Sequence, residues 1–174
     1  MTVHAVPVFA DSRYANPLIS RMAGFLASIG LETAPGVLHE AGFLDGLMIR
    51  HGVLLIDEVR LPYPGDLLHE AGHLAVVTGA QRKLLYGNVG SDPGEEMAAI
   101  AWSYAAALYL GIDLAVVFHP SGYRGGSQAI LQNFSQGRYF GVPMLEWFGL
   151  AADKETAALL QVSRYPHMLK WLRE

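Results

Sequence analysis

His69-Glu70-Ala71-Gly72-His73 places two imidazoles four residues apart, with a carboxylate directly after the first. Residues four apart share one face of a helix, so both rings can point at a single metal ion. Neutral imidazole nitrogen suits zinc, and three protein ligands plus one water is how a catalytic zinc site is built. Glu70 projects beside that face, where it can take a proton from a metal-activated water without being a ligand. A chain of this length matches HExxH by chance roughly 1% of the time. The bland alternative is a helix with two unrelated histidines and a solvated glutamate. The flanks oppose it, because Leu67, Leu68, Leu74, Ala75, Val76 and Val77 predict a buried helix. Two imidazoles and a carboxylate in such surroundings need a partner.

The third ligand separates the families. Val76 and Gly79 stand where a metzincin has its glycine and its last histidine. The chain has no cysteine, so thiolate ligands, thiol nucleophiles and disulfides are all excluded. Glu95 and Glu96 follow His73 by 22 and 23 residues. Two histidines from one helix and a glutamate from the next is the gluzincin arrangement. Asp92-Pro93-Gly94-Glu95 has the form of a helix start, with Asp92 as N-cap and proline first in the helix. Glu95 is then the third helical residue, placed to reach back to the backbone N–H of the cap. Glu96 lies one residue further on, above Ile100 and Ser103, on the stripe that faces the other helix. Glu96 is the predicted ligand and Glu95 the alternative; a helix N-terminus favours both acids through its dipole in any case.

These residues need elements to hold them. Asn16-Pro17 opens a helix to about Ile29, with Leu18, Met22, Phe25, Leu26 and Ile29 on its inner face and Gly30 as its stop. The two short apolar runs around His51-Gly52 predict a β-hairpin between Gly46 and Asp57. The HExxH helix should run from Asp66 to Thr78 and end at Gly79. Residues 80–92 read as a loop, and the helix opened by Asp92 should reach Leu110. Ile112 to Phe118 reads as a short strand and Ser121 to Ser127 as a Gly-rich loop. From Gln128 the chain is mostly helical, with a late helix near Asp153 to Ser163 and a break at Pro166. The fold class that follows is α+β: a small antiparallel sheet packed on a helical majority, in a single domain over residues 1–174.

Composition bounds the function. Of 174 residues, 52% are hydrophobic and 16% charged, which supports a sizeable core and rules out a largely disordered chain. A formal charge of -4, with no run of basic residues, does not indicate a nucleic-acid or anionic-membrane surface. Ala98 to Phe118 lacks Lys and Arg, but its polar Ser103 and Asp113 and its Gly111 fit a buried core helix better than a membrane span. Met1 to Ala10 has no basic segment followed by a sustained apolar one, so a cytoplasmic location is the default expectation. The apolar C-terminal third leaves room for a homodimer.

The order of elements from Leu44 to Leu110 resembles the compact zincin-like metallopeptidases of the ImmA/IrrE type. A hairpin is followed by Leu68-His-Glu-Ala-Gly-His-Leu74, then by Glu96 at the start of an Ala-rich helix. The resemblance implies a zincin-like fold and a zinc-dependent peptidase acting on a peptide or protein, with His69, His73 and Glu96 as ligands and Glu70 as base. In zincins an edge strand usually pairs with extended substrate, and Val53 to Asp57 is the candidate here. An electrophilic side chain should also face the tetrahedral intermediate. His119, Tyr123 and Arg124 are suitable groups, and no spacing rule selects one; an ordinary surface turn explains the same stretch. Two other readings remain open: a non-catalytic module that uses the cleft for binding or regulation, and a metal hydrolase acting on a non-peptide amide. His4, His39, His51 and His167 read as surface histidines, Trp102, Tyr104 and Tyr109 as core, and Trp147, Phe148 and Trp171 as packing of the C-terminal helices.

Overall fold

The computed structural model describes residues 6–39, 44–87, 89 and 92–174; His4 lies outside them. Helix α1 (Pro17–Ser28) begins as its sequence dictates, with Asn16 Oδ1 accepting from the N–H groups of Leu18 and Ile19 at 2.9 and 3.3 Å. Its inner face buries Ile19, Met22, Phe25 and Leu26. The hairpin pairs β2 (Leu47–Arg50) with β3 (Val53–Ile56), antiparallel, from Leu47 opposite Ile56 to Arg50 opposite Val53. Its two-residue turn uses left-handed conformations at His51 (φ 52°) and Gly52 (φ 82°), which match the twist of the strands.

The sheet is mixed rather than antiparallel. A third strand, β1 (Thr33–Pro35), pairs parallel to β3, giving the order β1-β3-β2. The hairpin leaves one row of β3 N–H and C=O groups to satisfy. Leu54 N–H donates to Glu32 O and Gly36 N–H to Ile56 O, both at 3.0 Å. Val53 to Asp57 is therefore the central strand and not the edge expected for substrate pairing. The outer side of β2 is itself partly covered, since Gly87 N–H donates to Ile49 O at 2.7 Å.

Helix α2 (Asp66–Val76) carries the HExxH residues, and every one of its residues except His69 is buried. Gly79 does not cap it. Thr78 instead caps a further short helix, α3 (Gly79–Arg82), through a reciprocal bond with Gln81, so residues 80–92 are not all loop. Arg82 closes the end of α2, donating from Nε to Leu74 O at 2.6 Å and from Nη2 to Val77 O at 3.0 Å. Helix α4 (Pro93–Leu110) has Asp92 as N-cap, Pro93 first, and Gly111 at φ 61° as its stop. Asp92 Oδ1 accepts from the N–H groups of Gly94 and Glu95 at 2.7 and 3.1 Å.

Ile112 to Phe118 is not a strand: Leu114–Val117 forms α5, capped by Asp113, whose Oδ1 accepts from Ala115 N–H at 2.9 Å. Valines at 116 and 117 favour a strand, but a capped helical turn satisfies its own backbone without a neighbouring strand. After a 3-10 turn at Tyr123–Gly125 come α6 (Ser127–Ser135), α7 (Val142–Trp147) and α8 (Lys154–Leu160). The core runs between α1, the sheet, α2 and α4, with Phe25, Leu67, Leu68 and Trp102 among its largest fully buried side chains. Trp102 Nε1–H donates to Trp171 O at 2.9 Å, which ties the C-terminal segment to α4. Trp147 departs from its expected packing role and is 82% exposed, because α7 turns that face outward. Tyr109 is partly exposed rather than core, its ring against Phe25 and Trp171. Among the described residues no helix is long and apolar enough to cross a membrane.

Candidate metal centre

Helix α2 can approach α4 closely because residue 72 is glycine. A Cβ there would sit 2.8 Å from Ala99 O and 3.2 Å from Ala99 Cα, distances a packed core does not allow. The close approach brings the next residue, His73, beside Glu96 one turn back on α4. His73 Nε2 lies 3.1 Å from Glu96 Oε2, His69 Nε2 lies 3.7 Å from Glu96 Oε1, and the two Nε2 atoms are 3.2 Å apart. Two donors held 2.0–2.1 Å from one ion in tetrahedral geometry are about 3.3 Å apart. The two imidazole nitrogens are spaced close to that value, and the Glu96 carboxylate lies beside both, with a different oxygen toward each ring.

Glu70 completes the group. Its ligand-type atoms lie with those of His69 and His73 within 4.8 Å of one another, a cluster that could hold a metal ion. Glu70 is 6% exposed and its Oε1 is buried with no hydrogen-bond partner. Burial raises its pKa to about 7, against the pull of His73. His69 is pushed the other way, to about 4, first by burial and then by the neighbouring His73, so it stays neutral and able to ligate well into acid. The His73 hydrogen bond lowers the pKa of Glu96, and His69 and Arg124 pull in the same direction. Among the described residues Glu95 makes no ion pair or hydrogen bond with either histidine and no back-bond to its helix cap; it lines the same cleft.

The cleft has a volume of about 970 Å³. It is also lined by the three residues named as electrophile candidates, each held differently. His119 is buried, its Nε2 is 2.9 Å from Asp66 Oδ1, its ring stacks on Tyr63 at 3.8 Å, and its Nδ1 is enclosed without a partner. Tyr123 sets its ring edge-on to His69 at 5.0 Å. Its hydroxyl is buried and makes no hydrogen bond; burial holds its pKa far above the usual phenol range, and nearby Ser103 offsets this only in part. Arg124 is exposed at the mouth. Tyr123 and Arg124 both take left-handed backbone conformations, φ 52° and 53°, a strained arrangement for side chains with a Cβ.

Two cleft residues were not foreseen. Asp66 lies three before His69, on the same helix face, and that spacing is a signal that could have found it. Burial raises its pKa, while His119 draws it down. Tyr63, which reaches Ser121 Oγ at 2.9 Å, precedes the helix and has no pattern that marks it. No protein-family model, curated protein or solved structure matches this chain. The geometry alone therefore carries the conclusion: α2 presents a His-Glu-His group able to hold a metal ion, with a glutamate of α4 against both imidazoles.

Proposed function

We propose that this protein is a zinc-dependent hydrolase, most simply a peptidase, with His69, His73 and Glu96 as ligands and Glu70 as general base. The observation that carries the reading is the convergence of two Nε2 atoms and one carboxylate at 3.1 to 3.7 Å beside a buried, unpartnered carboxylate oxygen. Zinc held there would supply Lewis acidity, activating a water and polarising the scissile carbonyl. Glu70 accepts the proton that the attacking water gives up and passes it to the leaving amine nitrogen. Its burial disfavours the charged form and so favours taking up that proton. Asp66 keeps His119 oriented at the cleft, and Tyr123 packs against His69 and fixes its ring. A purely structural metal site has no use for a buried carboxylate that makes no hydrogen bond, so Glu70 speaks for catalysis over a binding module.

The test is metal analysis of untagged protein together with hydrolysis of an unstructured peptide mixture followed by mass spectrometry. One zinc per chain, with cleavage absent in Glu70→Gln, is the expected result. Protein that takes up no metal even after dialysis against zinc would overturn the reading.

A further inference from the structure

Helix α2 ends without a glycine cap. Val77, just past its last residue, is extended (ψ 156°), and Thr78 and Gly79 belong to the next helix. The last four carbonyls of a helix have no partner within it. Here they are those of Leu74, Ala75, Val76 and Val77, all buried residues, so each needs a donor from elsewhere. Two arginines supply all four. Arg82 Nε donates to Leu74 O at 2.6 Å and Arg82 Nη2 to Val77 O at 3.0 Å. Arg173 donates its backbone N–H to Ala75 O at 2.9 Å and its Nη1 to Val76 O at 3.3 Å. Arg82 Nη2 also reaches Arg173 O at 3.0 Å and so joins the two. Both guanidinium charges stand at the negative end of the helix dipole.

The turn held in this way is the one that carries His73, which directly precedes Leu74. Helix ends fray first, so a ligand in a last turn is only as fixed as that turn's carbonyls. A local cap would fix them from within a few residues. Here half of the donors come from residue 173, which is held in place by contacts of its own segment. The Trp171 ring lies 5.0 Å from Phe25 and 5.5 Å from Trp102, edge-on to both, and the Arg173 guanidinium lies 3.9 Å over Phe148. We propose that Arg82 and Arg173 are positioning residues for the metal centre: they clasp the carboxyl end of α2, and docking of residues 171–173 is coupled through His73 to metal binding. The coupling is reciprocal, so metal must tighten the docked segment by the factor by which docking tightens metal. The metal half of this rests on the hydrolase reading, whereas the clasp on the helix end does not.

The experiment uses the full-length protein with Arg82→Met and Arg173→Met, which keep an apolar stem and remove the donors. Arg173→Met is the milder, since its backbone bond to Ala75 O survives. Asn16→Ala is the control, because it removes the cap of α1 and lowers stability without touching the end of α2. Zinc affinity, read by competition with a chromogenic chelator, is expected to fall about tenfold in Arg82→Met and by a smaller factor in Arg173→Met. It should stay within about twofold of wild type in Asn16→Ala. In metal-free protein, amide hydrogen exchange at residues 73–76 should quicken in both arginine variants relative to residues 70–72. Zinc should in turn slow exchange of the Arg173 N–H in wild type. Unchanged zinc affinity in both arginine variants, or an equal loss in Asn16→Ala, overturns the proposal. Wild-type protein that binds no zinc, with exchange at residues 73–76 still quickened by the arginine substitutions, would sustain the clasp and sink the hydrolase reading instead.

Discussion

Gly72 lies against Ala99 so closely that a single added carbon would stand 2.8 Å from the Ala99 carbonyl oxygen. This contact is between backbones and cannot be relieved by rotating a side chain. It sets how near α2 comes to α4, and through that the 3.1 Å separation of His73 and Glu96.

Gly72→Ala should therefore act on both stability and the metal centre. Forcing a methyl group into a packed helix interface costs about 1–3 kcal/mol, read as a lower midpoint in denaturant unfolding. Metal affinity should fall in the same variant although no ligand has changed. Unaltered metal affinity would show that the ligand distances do not depend on this helix contact.

The ligand assignments make separate demands. His69→Ala or His73→Ala should yield protein without metal. Glu96→Gln should weaken metal binding while Glu95→Gln leaves it intact, as judged by competition with a chromogenic chelator. The opposite ranking of the two glutamates would transfer the ligand role to Glu95.

Glu70→Gln should keep its metal and lose turnover, and it should also stabilise the metal-free protein. The sign follows from the raised pKa. The unfolded chain ionises Glu70 near 4.5, whereas the folded chain resists until about 7. Wild-type stability is thus lost as pH rises through that window and levels off above it. Glutamine has no charge to resist, so the variant should gain up to about 3 kcal/mol over wild type by pH 7 and little below pH 4.5. Parallel stability curves for the two proteins from pH 4 to 8 would refute this.

Tyr123→Phe removes a hydroxyl that is buried without a partner. Such a group costs about 1–3 kcal/mol to bury, so the variant should be as stable as wild type or more so. If the hydroxyl is retained to meet the tetrahedral intermediate, kcat should fall while KM and metal content hold. A variant both less stable and equally active would give the hydroxyl a structural partner and no part in turnover.

Local chemistry determined much of this protein in one dimension. The caps at Asn16 and Asp92, the prolines behind them and the left-handed turn at His51-Gly52 depend on neighbours within four residues. They are readable because the hydrogen bonds involved close over those distances. The HExxH spacing belongs to the same class, since a helix alone brings His69 and His73 to one face. Glu96 could be ranked above Glu95 by its place on the helix, but its distance to the histidines depends on how two helices pack. Tertiary structure decided the rest. Whether β3 is an edge or a centre depends on β1, a three-residue strand ending in proline with almost no signal of its own. Among the described residues no strand pairs with Leu114–Val117, and the segment satisfies its backbone as a capped helical turn instead. Asp66 and His119 are 53 residues apart and meet only because α2 and the segment after α5 share a wall of the cleft. Contacts across such separations are selected by the packing of the whole core, and no short stretch of sequence encodes them.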